Sequence, residues 1–489
     1  MGSISGFTEI PDLTPLERIG PKGYLRYVFP FQLPDDYDLE QAASALRAGY
    51  EAAQQRIAVL GCEAVPNPDS KQAGVLKLQR LGPGEIEGIV VKDLRAPGAF
   101  PMTYAELKSK AFPVSAFNAD IICRRSVWAS AGERLPISLP QANFIQGGMI
   151  LSWCIFHMFG DGKTFLTWTK VWAEECRRAQ GLDIQDPFKL DEALLKDRQR
   201  LLKPTGKNQG RPEDHPAYTI IPFTPPGMPP KMLSEKHRGQ VFYFSPESLA
   251  RLKAEASPSN ATEPSNQKWV STNDALSALL WRTVMAAQSP LDTLEGDPIS
   301  VFNIAIDGRL RTDPPVHPET LGCFLAYVAA SAPIRKMLGS ANLADLAILV
   351  RQALLRADSQ FVDDVATLID TVEDVDRVIP TALLDVPGNN CIQTSWVNFS
   401  LYDVQWGPVL GGSIQAVRSP HVGIINGLQT VLPILPDGGM EILSGGLKTN
   451  QGEAYRQVCC IGAAGVLIWD QKRGRNDNFG AKINAWVEV

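Results

Sequence analysis

An apolar run over residues 149–159 breaks at Gly160-Asp161-Gly162, and the chain beyond it follows a different period. The run suits a buried strand. After it, Phe165, Trp168, Trp172, Cys176 and Ala179 recur at intervals of three and four, the stripe of an amphipathic helix ending near Gly181. A strand, a tight glycine-containing turn and a helix form a unit that packs helices against sheets. His157 stands at the strand end, where a side chain can face an open crevice. Asp161 stands at the helix mouth, where a carboxylate accepts backbone N–H bonds.

The same alternation of elements continues along the chain. Residues 38–53 read as a helix, with Asp38 and Gln41 placed as a capping box. Residues 88–94 suit a strand, and 143–146 and 149–159 read as extended pieces broken at Gly147-Gly148. The stretch 203–230 is rich in Pro and Gly and poor in periodicity, the best linker in the chain. Beyond it come a strand at 239–244, a helix opened by Ser271 and Asp274, and a strand at 301–306 that meets the turn Asp307-Gly308. A helix at 343–355 and β-like pieces at 391–401, 422–425 and 457–469 follow. At 489 residues the chain exceeds one hydrophobic core. The expected class is α/β (α+β mixed), with a first domain over 1–205, a Pro-rich crossover at 206–235 and a second domain over 236–489, some strands being exchanged between the domains.

Composition removes several function classes. The net charge of −6 argues against a nucleic-acid binder, and the basic clusters at 108–110 and 472–475 read as solvated surface. Residues 1–12 lack the pattern of a secretory leader, and no run of 18 apolar residues occurs, so a cytoplasmic protein without a membrane span is expected. The eight cysteines are scattered, with no Cys-x-x-Cys, and read as reduced thiols; Cys459-Cys460 reads as local packing. Gly82, Gly84 and Gly88 do not make a dinucleotide fingerprint, and no Cys/His cluster has zinc spacing. No tightly bound cofactor and no metal is expected, and no cofactor-binding residue is assigned.

His157 and Asp161 are the candidate catalytic residues. A neutral imidazole can take a proton from a hydroxyl or an amine as the heteroatom attacks. Asp161 can either orient that ring or hold the turn through an N-cap bond or an arginine; the second role fits the spacing better. No Gly-x-Ser-x-Gly elbow is present, and Cys154 faces the opposite side of the strand from His157. Direct attack by a bound acceptor needs no protein nucleophile.

These pieces together resemble the BAHD superfamily of acyl-CoA-dependent acyltransferases, and its fungal branch of trichothecene 3-O-acetyltransferase-like enzymes most closely. The family pattern His-x-x-x-Asp-Gly is intact as His157, Asp161 and Gly162. Its downstream Asp-Phe-Gly-Trp-Gly is Asp403-Val404-Gln405-Trp406-Gly407, followed by Pro408. Between them lie WVSTNDALSALLW over 269–281, Asp307-Gly308-Arg309, Pro314-Pro315 and Ser395-Trp396. The likeness covers roughly residues 20–450. Val404 and Gln405 depart from the pattern, as does Cys323 where the family often has asparagine. The tail from about residue 462 matches nothing in the family.

The resemblance implies two domains of chloramphenicol-acetyltransferase-like topology, each a mixed sheet with helices, and an active-site channel between them. It implies a monomer that takes acyl-CoA, acetyl-CoA by default, and a small-molecule acceptor such as a secondary-metabolite hydroxyl. His157 would be the general base. Asp161 would point away from it and pair with Arg309, with Gly162 in the same turn. Asp403 would form a distant structural salt bridge. Trp406 and Gly407 would support the loop closing the channel, and the Trp406 N–H or a nearby Ser or Thr would supply an oxyanion donor. N-acylation of an amine uses the same base. Condensation on a carrier-bound thioester is a further alternative, against which Phe156 stands where those enzymes carry a second histidine. A binding protein with a decayed site is the non-enzymatic one.

Overall fold

In the computed structural model the described residues are 7, 9–191, 193–225, 227, 237–385, 388–420 and 427–447. The pieces expected at 422–425 and 457–469, with His421, Cys459-Cys460, the 472–475 cluster and the tail beyond 462, lie outside them.

The first sheet contains β1 (Tyr24–Gln32), β2 (Val90–Asp93), β3 (Ser138–Ile145) and β4 (Gly148–Phe156), in the order β1-β4-β3-β2. Every residue of β3 and β4 is buried, which is why both read as near-continuous apolar runs. They pair antiparallel through a two-residue turn at Gln146-Gly147, where Gly147 has φ +75°. The break therefore falls one residue earlier than the sequence suggests. The strand also ends earlier: His157–Phe159 leave it in a 3-10 turn, so the imidazole sits just past the strand.

Two helices cover this sheet, α2 (Leu39–Arg56) and α3 (Gly162–Ala179), following the short α1 (Pro15–Arg18). α2 and α3 approach closely at Gly49, where a Cβ would come within 2.5 Å of the Cys176 sulfur. The α3 stripe meets the sheet through aromatic contacts: Phe165 stacks on Tyr27 at 3.7 Å and Trp172 meets Trp153 edge-on at 4.9 Å.

The second sheet is mixed. Its strands are β5 (His237–Phe244), β6 (Ile299–Asp307), β7 (Leu325–Pro333), β8 (Cys391–Ser395), β9 (Leu428–Val431) and β10 (Met440–Leu447), ordered β7-β6-β8-β9-β10-β5. β8 is parallel to both neighbours; the other pairs are antiparallel. Helix α4 (Thr272–Gln288) lies on it behind the Ser271–Asp274 capping box, with Trp281 stacked on Phe302. α5 (Leu343–Leu355) and α6 (Ser359–Thr371) complete this half.

The two cores do not divide at the Pro-rich stretch. Leu16 belongs to the second core, whereas Leu401, Trp406, Leu410 and Val417 belong to the first. Residues 413–418 run along the outer edge of β1, with Gln415 N–H donating to the Pro30 carbonyl and Val28 and Arg418 exchanging both backbone bonds. The described part of the Pro-rich stretch is docked on the second half, through the pairing of Tyr218–Ile220 with Val378–Pro380 and the contact of His215 Nε2 with Asp364 at 2.9 Å. Among the described residues no helix is long and apolar enough to cross a membrane.

Candidate active site

The corner between β4 and α3 is fixed from both halves. The His157 N–H donates to the Gly23 carbonyl at 2.9 Å, and the Gly160 N–H closes the 3-10 turn on the His157 carbonyl. Asp161 is the N-cap of α3, accepting from the Thr164 N–H at 2.9 Å. Its backbone N–H donates across to the Gly322 carbonyl, and its second oxygen accepts from the Phe324 N–H at 2.9 Å. Gly162 leaves room for the Phe399 ring, against which any Cβ would collide.

Arg309 is the centre of this join and has no exposed surface. Its guanidinium bonds Asp161 twice, at 2.6 and 3.1 Å, and Asp307 at 3.0 Å. The remaining donors reach the carbonyls of Thr320 (2.8 Å) and Gly322 (3.1 Å) and the Thr164 hydroxyl (2.9 Å). A planar fork of donors can satisfy this set, and a lysine ammonium cannot. Burial pushes the Asp161 carboxyl up, but the Arg309 charge, its hydrogen bonds and the two backbone N–H groups outweigh it and hold the group below its ordinary value.

Both oxygens of Asp161 are committed to this network, and none of their bonds goes to His157. The carboxylate caps α3 and pairs with Arg309 rather than with the imidazole, the structural one of the two roles open to it from the sequence. His157 itself is half-buried. Its Nδ1 is fully covered and has no hydrogen-bond partner among the described residues, which leaves Nε2 as the accessible nitrogen. Burial drives the imidazole below its usual pKa; its own carbonyl, the Asp161 charge and the Gly160 carbonyl oppose this without reversing it. A neutral ring at neutral pH, with one nitrogen open, is the state a general base requires.

A second buried ion pair escaped the sequence reading. Glu17 of α1 meets Arg198 at 2.7 Å, and Arg198 also bonds the Leu321 carbonyl at 2.7 Å. Glu17 accepts from the Cys323 N–H at 3.2 Å and from Thr14. The Phe324 ring lies beneath both guanidiniums, 4.5 Å from Arg309 and 5.5 Å from Arg198. Residues 320–324 are thus clamped from two sides. Gly322 is required between them, because it has φ +145° and a Cβ there would strike the Glu17 carboxylate.

The second motif lies elsewhere. Trp406 is fully buried in the first core, edge-on to Trp172 at 5.3 Å and to Phe31 at 5.5 Å. Its carbonyl accepts from Gln180, the C-cap of α3, at 2.7 Å, and the Val409 N–H returns to the Gln180 side chain at 3.0 Å. Gly407, at φ +88°, packs directly on Gln180. His157 stands before the other end of that helix, about 27 Å away at 1.5 Å rise per residue. The Trp406 N–H, expected as a possible oxyanion donor, is buried without a partner among the described residues and is enclosed by the rings of Phe31 and Trp172, the latter ten residues into α3, about 15 Å along its axis. Asp403 is exposed and makes no salt bridge among the described residues, so the structural ion pair expected of it is absent there. Among the described residues no group of three or more His, Cys, Asp or Glu side chains is arranged for a metal ion.

A family model described as "Transferase family" matches residues 119–421, and one described as "Trichothecene 3-O-acetyltransferase-like N-terminal domain" matches residues 24–170. The chain belongs to the BAHD transferase family. Among curated relatives, the BAHD chain is 28% identical over 437 residues to the enoyl-CoA isomerase/hydratase claC of Penicillium crustosum, covering 87% of its own length but only 48% of that protein. It is also 28% identical over 468 residues to the eremophilane O-acetyltransferase prx11 of Penicillium rubens, covering 88% of this chain and 93% of that one. It spans about half the length of the first relative and nearly all of the second. Among solved structures, Fusarium graminearum TRI101, complexed with coenzyme A and deoxynivalenol, superposes with a TM-score of 0.76 at 21% identity, over 93% of this chain and 97% of that one. The fold is accordingly the BAHD two-domain fold.

Proposed function

We propose that this BAHD chain transfers an acyl group, acetyl by default, from a coenzyme A thioester to a hydroxyl of a small secondary metabolite. The observation that carries the reading is the His157 ring: Nδ1 covered, Nε2 accessible, and the pKa held low on a turn locked by Asp161 and Arg309. The similarity to the eremophilane O-acetyltransferase of Penicillium rubens and to TRI101 in its coenzyme A complex supports the donor and the hydroxyl acceptor.

The reaction follows from that geometry. Nε2 takes the hydroxyl proton as the oxygen attacks the thioester carbonyl. The tetrahedral adduct collapses, the C–S bond breaks, and the imidazolium returns the proton to the leaving thiolate. No acyl-enzyme forms and no bound cofactor is consumed; the thioester is a co-substrate. Domains over 1–205 and 236–489 that exchange segments between their cores, and a cytoplasmic monomer, are part of the same reading; light scattering tests the last.

His157→Ala should lower kcat by about 10²–10⁴-fold while leaving the melting temperature little changed, because the buried Nδ1 has no hydrogen-bond partner among the described residues to lose. Thiol release and product mass, followed with acetyl-CoA and a panel of terpenoid, polyketide and alkaloid alcohols, measure it. Transfer at near full rate by that variant would remove the assignment.

A further inference from the structure

With the Trp406 N–H enclosed by Phe31 and Trp172, the acyl-transfer corner needs another hydrogen-bond donor for the oxyanion, and Tyr27 packs against the first turn of α3 beside that corner. Tyr27 lies on β1, the edge strand, with only 2% of its surface exposed. The cross-strand register pairs it with Trp153 of β4, the strand whose end leads into the His157 turn. Its ring is held flat on Phe165 at 3.7 Å, within the first turn of α3, and is met at 5.0 Å by Trp396, which follows β8 of the other sheet. Two rings from opposite halves of the molecule therefore fix where its hydroxyl points.

That hydroxyl is fully buried and has no hydrogen-bond partner among the described residues. A buried O–H left unpaired is costly, and native folds retain such groups where a ligand or a catalytic step satisfies them. Burial pushes its pKa up, and the hydroxyl also lies close enough to the Asp161 carboxylate to feel its charge, which acts in the same direction. It is thus a permanently protonated donor beside the turn that carries His157.

We propose that the Tyr27 hydroxyl donates to the thioester oxygen of the bound acyl group and stabilises the oxyanion formed when the His157-activated hydroxyl attacks. The O–H stays intact: it donates a hydrogen bond as negative charge builds on the carbonyl oxygen, and releases it when the C–S bond breaks. A neutral donor in a dry site acts most strongly on charge that develops in the transition state. This role rests on the acyl-transfer reading above.

Tyr27→Phe removes the hydroxyl and keeps the stacked ring. The expected result is a fall in kcat of about 10²–10³-fold with KM for acetyl-CoA unchanged. The melting temperature should be equal or higher, since the folded state loses an unsatisfied donor. Three results would overturn the proposal: a wild-type kcat, a rise in KM with kcat preserved, or a loss of rate matched by a loss of thermal stability. His157→Ala in the same assay separates the two levels. If it is inactive while Tyr27→Phe is normal, only the tyrosine assignment fails; if it is fully active, the acyl-transfer reading fails beneath it.

Discussion

Residues 157–162 and 403–407 sit at opposite ends of one helix. At the N-terminus of α3, Asp161 ties the turn to Arg309 of the second half and presents an imidazole with one open nitrogen. At the C-terminus, Gln180 grips the Trp406 carbonyl and the indole fills an aromatic core. Both stretches are family motifs, yet one holds two halves together around the His157 imidazole and the other holds a returning loop onto the first half. The difference shows that a motif can mark a place where the chain must dock as readily as a place where chemistry happens.

The comparison breaks most visibly at Arg309. Replacing it with alanine leaves the Asp161 charge buried without its partner, a loss of about 3–5 kcal/mol of stability. Activity should fall with it, because the turn that presents His157 loses its anchor. Chemical denaturation and a rate measurement on the soluble fraction test both. A soluble Arg309→Ala protein with unchanged melting temperature and rate would contradict the join described here.

Trp406→Ala should cost a similar amount, about 3–5 kcal/mol, through the cavity left among Phe31 and Trp172. Here the rate per folded molecule should stay near that of the unaltered protein at a temperature where the variant remains folded. A kcat loss comparable to that of His157→Ala would move the second motif back into the chemistry.

A smaller effect separates the two ends by pH. The general base works only when neutral, and burial holds His157 below the ordinary imidazole value near 6.5. kcat/KM should therefore stay flat from neutral pH down through 6.5 and fall only below it. The Asp161 charge is one of the influences holding that pKa up, so Asp161→Asn, if it folds, should move the acid limb lower still. A limb centred above 6.5 would mean that the ring is solvated rather than enclosed.

What the sequence revealed follows from how local each signal is. The stripe from Phe165 to Ala179, the Asp38 and Asp161 caps and the Ser271–Asp274 box are contacts within a turn or two, and all are found where the pattern puts them. The helix at 343–355 is equally local. Arg309 lies 148 residues from Asp161, and only the family likeness joins them on paper. Glu17 and Arg198 are 181 residues apart and carry no local pattern, so the second clamp was invisible. Period-two alternation assigns Tyr27 to a face of β1, but whether its hydroxyl finds a partner depends on side chains from the second half. Trp406 is ambiguous for the same reason: a tryptophan in a loop reads alike whether it lines a channel or docks in a core, and only its contacts with Phe31, Trp172 and Gln180 distinguish the two.

The smallest effect belongs to Asp403, and it is the sharpest test of how the second motif divides. Asp403 shares that motif with Trp406, but its side chain is exposed and forms no ion pair among the described residues. Its charge is felt by Lys170, as one of the lesser influences on that ammonium. Asp403→Asn should then change stability by no more than about 0.5 kcal/mol, the range of ordinary surface substitutions. The acid limb should not move, because Asp403 is not among the groups that influence the imidazole. A melting temperature lowered as far as by Trp406→Ala would show that the aspartate holds the loop as firmly as the indole does, and that its exposure hides a structural role. An unchanged melting curve beside a destabilised Trp406→Ala would confine the motif's physical work to its aromatic core.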